Sequence, residues 1–245
     1  MPTPATPRRR ILPRWLRWLV VCQGLMLGAA GVCFLLSLGR PSWWHEVAPD
    51  AKTTELGEQV ENAVVSQLSL ARPADPAGTG GYKSREWSVS ISAEDADAWL
   101  ATRLKQWVAH NGARWPEQLN AAQVAFVPGG IKLGVQLAGG RVVSVEVAPS
   151  VHADGSLWME PRGASVGSLP VPAGLVLGEL RQSVAGKSAG SDARDAAQKW
   201  VEAVAGARAL TSEPVVKLED GRQVRLLGIA AKNDRVEVTC RTEKR

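Results

Sequence analysis

The chain has 245 residues, 45% of them hydrophobic, with 29 Lys and Arg against 24 Asp and Glu. Its pI near 9.4 points to a nucleic-acid binder only until the charge is located. Six basic residues (Arg8, Arg9, Arg10, Arg14, Arg17 and Arg40) lie in residues 1–40, which hold no Asp or Glu, so 23 basic residues face 24 acidic ones in the remainder. That near-neutral remainder excludes the basic footprint of a nucleic-acid protein, while the excess near the N-terminus would attract anionic lipid headgroups.

Residues 1–14 read as a Pro-rich, basic cytoplasmic tail. From Trp15 to Leu38 follows an apolar stretch in which Gln23 is the strongly polar side chain after Trp18. A bilayer core about 30 Å thick needs roughly 20 such residues, so 15–38 is expected to be a transmembrane helix and the lipid bilayer a partner. Arg before the stretch and Glu46 and Asp50 after it place the N-terminus inside and the C-terminal part outside the cell membrane, in a single pass. Trp15 and Trp18 at one end and Trp43 and Trp44 at the other match the aromatic belts of the two interfaces. A cleaved signal peptide would have an apolar core of only about 7 to 15 residues and a small-residue cleavage site, which favours a retained anchor. Gly24, Gly28 and Gly31 share one helical face, and Gly24-x-x-x-Gly28 could pair two copies as a homodimer. The alternative is that glycine is simply frequent in membrane helices.

Residues 39–85 read as a stalk and a Gly/Pro-rich linker. A short tether, Pro41 to Pro49, leads into an amphipathic helix from about Asp50 to Ala71, with Leu56, Val60, Val64 and Leu68 four residues apart. This helix either continues toward the membrane or docks on the domain. The loop 73–82, PADPAGTGGY, lacks the Lys-Ser/Thr of a phosphate loop, so no nucleotide cofactor is expected.

Residues 86–245 are expected to form an extracytoplasmic α+β domain, an antiparallel β-meander packed with helices. Trp87, Val89 and Ile91 alternate with serines as a half-buried strand does. Ser92 and Asp95 then open a helix running to about His110, with Ala96, Trp99, Leu100, Leu104, Trp107 and Val108 inward. Glu94, Asp95 and Asp97 are explained as first-turn carboxylates that complement the helix dipole. Alternating apolar residues from Val124 to Met159, punctuated by Pro128-Gly129-Gly130, Gly139-Gly140 and Asp154-Gly155, form the meander. Gly167 to Pro172 is expected to break the sheet before a helix near Ala173. After a linker at 187–191, a helix from Asp192 to Leu210 would turn Trp200, Val201 and Val204 inward, and the chain closes in strands that bury Cys240.

The order of single span, helix, S-x-E-D before a Trp-containing helix (Ser92 to Trp99), HADGSLWMEP at 152–161 and VGSLPVP at 166–172 resembles the YpmS family of bacterial membrane-anchored proteins. The resemblance covers about residues 86–180 and implies topology and architecture, not an activity.

His45, His110 and His152 are scattered, Cys240 is the one thiol beyond the span, and no G-x-S-x-G, H-E-x-x-H or dinucleotide fingerprint occurs. No catalytic residue, metal or cofactor is therefore expected. Three functions remain open. The first is a noncatalytic envelope protein binding a lipid-like ligand or envelope protein, with Trp99, Trp107, Trp158 and Trp200 either core or ligand contacts. The second is an interaction subunit of a membrane complex. The third, an envelope hydrolase, would need two convergent carboxylates in a cleft.

Overall fold

The computed structural model describes residues 14–77, 81–110, 112, 115–178 and 191–244, with the side chains of 14–22, 24 and 191–197 left aside. The expectations for the tail, for Trp15, Trp18 and Gly24, and for 179–190 thus lie outside the described residues.

Helix α1 (Arg14–Leu38) is continuous over 25 residues. At about 1.5 Å per residue this is roughly 37 Å of helix. Its side chains described are Gln23 and those from Leu25 onward, and among the described residues no helix is long and apolar enough to cross a membrane. Helix α2 (Ala51–Ser69) starts at Asp50, whose carboxylate accepts the N–H of Thr53 at 2.8 Å.

Strand β1 (Trp87–Ser92) runs directly into α3 (Ala93–Thr102). Ser92 and Asp95 form the reciprocal capping box that the spacing suggests. The single helix expected to His110 is two, because the chain turns at Arg103 before α4 (Leu104–His110). At the break Thr102 Oγ1 bonds back within the helix to the Ala98 carbonyl at 2.7 Å, and the Arg103 side chain reaches across to Glu61 of α2 at 2.8 Å.

The fold is α+β, with two antiparallel sheets among the described residues. Strands β2 (Leu119–Val127), β3 (Gly130–Leu137), β4 (Val142–Val151), β5 (Leu157–Val166) and β6 (Leu169–Val171) form a meander in chain order. Residues 166–172 do not break this sheet as expected: Gly167, at φ 60°, makes a tight turn, and Leu169 pairs with Val166 to add an edge strand. A helix, α5, described over 173–178, and helix α6 (Ser191–Val204) follow. The second sheet has the order β1-β9-β8-β7, joining the first strand of the domain to β7 (Val215–Lys217), β8 (Arg222–Lys232) and β9 (Arg235–Lys244).

Val145 and Val147 of β4 pack with Leu177 of α5 and Val204 of α6 in the core beneath the meander. Val147 is fully buried, worth about 1.5–3 kcal/mol of transfer free energy. The sheets are tied at their hairpins, where Gly129 N–H donates to Ala231 O at 2.9 Å and Asp234 N–H to Phe126 O at 3.2 Å. Cys240 is buried on the second sheet as its alternation requires, and burial pushes its thiol pKa up.

Candidate functional site

Two places bring together residues that lie far apart in sequence. The first is where α1 meets the domain. Ser168 N–H donates to Leu36 O at 2.9 Å and Ser168 Oγ to Arg40 O at 2.8 Å, so the β5–β6 turn grips the end of the helix. Trp43 and Trp44 then lie over Gly134 of β3, where an added Cβ would meet Trp43 Cη2 at 2.5 Å and Trp44 Cζ3 at 3.0 Å. Trp44 is buried, which corrects the expectation of an interfacial belt: the glycine leaves a flat place on the sheet that two indoles fill.

His45 follows. Its backbone N–H donates to Gln123 Oε1 at 3.3 Å, and its carbonyl accepts from Gln123 Nε2. Its ring Nε2 lies 3.4 Å from Asp97 Oδ2, while Asp97 Oδ1 accepts the N–H of Val124 at 2.7 Å. Asp97 is 1% exposed, so it is no first-turn carboxylate facing solvent; Glu94 and Asp95 fill that role. Loss of solvation raises its pKa to about 6, against the opposing pull of the Val124 bond and of His45. Although it holds a carboxylate and an imidazole, the cluster lines neither cavity described below and reads as a structural clamp.

The second place is an open groove of about 460 Å³ between α2 and β1, lined by Leu56, Val60 and Val64 from the helix and by Ser88 to Ile91 from the strand, with Asp95 beside them. Helix α2 is docked on the domain, settling the alternative left open by its sequence. At one end Gly57 lets it approach Ala98 and Thr102 of α3. Nearby, Arg103 pairs with Glu58 at 3.5 Å and Glu61 at 2.8 Å. The Arg103 hydrogen bond holds the Glu61 carboxyl below its usual range, with a smaller contribution from Trp99. At the other end Arg222 of β8 donates to the carbonyls of Ser69 at 2.7 Å and Leu70 at 3.1 Å, and Arg72 lies 3.6 Å over the Trp87 ring. A second, more polar cavity of about 500 Å³ lies between Leu38, Arg40 and the β3–β4 turn at 137–141.

The four tryptophans singled out from sequence are not brought together. Trp99 is half-buried on α3, and Trp107 on α4 is 56% exposed where an inward position was expected. Trp158 stacks on His152 with centroids 5.2 Å apart and donates to Ser156 Oγ at 2.8 Å, bracing the Asp154-Gly155 turn. Trp200 on α6 is 48% exposed; Val201, Ala203 and Val204 are the buried residues of that helix among those described. Neither cavity is lined by any of the four. In α1, Gln23 is exposed, Leu38 is 52% exposed, and an added Cβ at Gly28 or Gly31 would meet nothing within 4 Å.

Among the described residues no group of three or more His, Cys, Asp and Glu is placed to hold a metal ion. The chain matches no protein-family model, no curated protein and no solved structure with which it was compared.

Proposed function

We propose that the chain is a noncatalytic, single-pass membrane protein whose α+β domain is held outside the cytoplasmic membrane and binds another envelope component there. The observation that carries this reading is the direct coupling of α1 to the domain: the last turn of the helix is bonded to Ser168, and the next residues are packed on β3 with no slack between them. Such coupling suits a module presented at a fixed height above a bilayer. The described apolar side chains of α1 support it too, since Leu25, Met26, Leu27, Phe34 and Leu35 are each at least 60% exposed to whatever surrounds the helix. The YpmS-like order of elements carries the same expectation of topology.

Of the ligands left open by the sequence, the groove favours a protein segment over an acyl chain. Its lining mixes serine, glutamine and aspartate with the aliphatic wall, and it is open rather than enclosed. This is the interaction-subunit reading.

A reporter fused after Arg245 tests the topology. Activity confined to the extracytoplasmic side, with the chain retained in the membrane after alkaline extraction, is the expected result. Cytosolic activity, or release of a soluble chain trimmed near residue 40, would overturn the proposal.

A further inference from the structure

Each sheet has two edges, and three of the four are closed to pairing. Strand β6 is three residues long with Pro170 at its centre, and β7 is also three residues long. Along β2, Asp97 takes up the outward N–H of Val124 and a bulge interrupts the register near Leu119. Strand β1 carries none of these devices. It is six residues long, has no Pro, Lys or bulge, and pairs with β9 alone among the described residues.

The groove lies on that free edge. Successive side chains of a strand point to opposite faces, so a cavity touching Ser88, Val89, Ser90 and Ile91 in succession runs along the strand's side. Alternate N–H and C=O groups of an edge strand are directed outward into such a space. Helix α2 walls it at a distance, bonded to α3 and β8 at its two ends, and no hydrogen bond or ion pair joins it to β1 among the described residues. The one charged lining residue is Asp95, which makes the β1–α3 end of the groove anionic.

We propose that the edge of β1 takes an extended segment of a partner protein as an added strand. Alternate apolar side chains of that segment lie against Leu56, Val60 and Val64, and a Lys or Arg reaches Asp95. The backbone edge supplies the hydrogen bonds, the aliphatic wall of α2 supplies the pattern, and the carboxylate sets the direction. This deepens the reading of the domain as a binding module but does not depend on the membrane anchor. A cytosolic result in the reporter experiment would end the anchor and leave the groove untouched.

The test selects a random displayed peptide library against the full chain in detergent micelles, with Val60→Trp, which fills the groove, as counter-target. The expected result is enrichment of peptides with alternating apolar residues and one basic end residue. Their affinity should fall by at least roughly tenfold on V60W, and as much when alternate peptide nitrogens are methylated, which removes strand pairing without touching the protein. Asp95→Asn should weaken only the basic peptides. No enrichment over V60W, or unchanged binding of methylated peptides, would overturn the proposal. So would oleate occupying the groove instead of peptide, or self-association in sedimentation that V60W abolishes, because the occupant would then be a lipid or a second copy. The methylated peptides keep the test decisive even if V60W does not fold.

Discussion

Asp97 Oδ1 accepts the backbone N–H of Val124 at 2.7 Å across the interface between α3 and β2. Because Val124 lies on an edge strand, that donor has no neighbouring strand to pair with, and the carboxylate closes the edge as a strand would. The same carboxylate faces His45, so one buried group joins the helix, the sheet and the segment leaving α1.

Burial gives Asp97 a folded pKa of about 6, above its ordinary value of 3.8, so the folded chain holds a proton that the unfolded chain has lost between those limits. Stability should therefore fall as pH rises from about 4 to about 6, by on the order of 3 kcal/mol, and level off above. Asp50, Asp154, Asp220 and Glu237 have lowered pKa values, from hydrogen bonds first of all, and lose their contribution at lower pH as they are protonated. Denaturant titrations of Asp97→Asn across this range should show no such fall, since the amide oxygen still accepts from Val124. Asp97→Ala, which orphans that N–H, should be destabilised by about 1–3 kcal/mol throughout.

Gly57 is the contact point of α2 on α3, where a Cβ would run into Thr102 Oγ1 and stand 3.1 Å from Ala98 O. Gly57→Ala gains about 1 kcal/mol of helix propensity but is expected to lose more to this clash, for a net destabilisation of about 1–2 kcal/mol. Adding Thr102→Ala should recover part of that loss, a non-additivity that a double-mutant cycle in urea would read directly.

Gly134→Val should undock the Trp43–Trp44 segment, because the new side chain occupies the space of both indoles. Hydrogen exchange at the His45 amide, now bonded to Gln123, is the measurement; its protection should drop by at least about tenfold while the second sheet is unaffected.

Gly28→Leu fills a face of α1 with nothing within 4 Å of it. If two copies pair through Gly24 and Gly28, self-association in a bilayer reporter should weaken by about 1–2 kcal/mol, while the domain's melting is unchanged. Unaltered association would remove the pairing.

Local periodicity and turn chemistry were enough to read the α+β class, the Ser92–Asp95 cap, the meander and the inward face of Cys240, because each depends on residues only a few positions apart. The pairing of β1 with β9 joins segments roughly 150 residues apart, and alternation says which face of a strand is oily without saying what lies beside it. Asp97 carried no mark to set it apart from Glu94 and Asp95, since its burial comes from an edge strand 27 positions away. His45 and Gln123 looked unremarkable for the same reason, and Trp107 and Trp200 looked buried because apolar spacing records a helix face but not where the covering element ends. Sequence alone determined most of the strands and helices and where an apolar rod stands, though not the break at Arg103 or the strand at 169–171; only tertiary packing decided which edge is sealed and which is left open, because an unpaired backbone is a property of neighbours and not of the residues that own it.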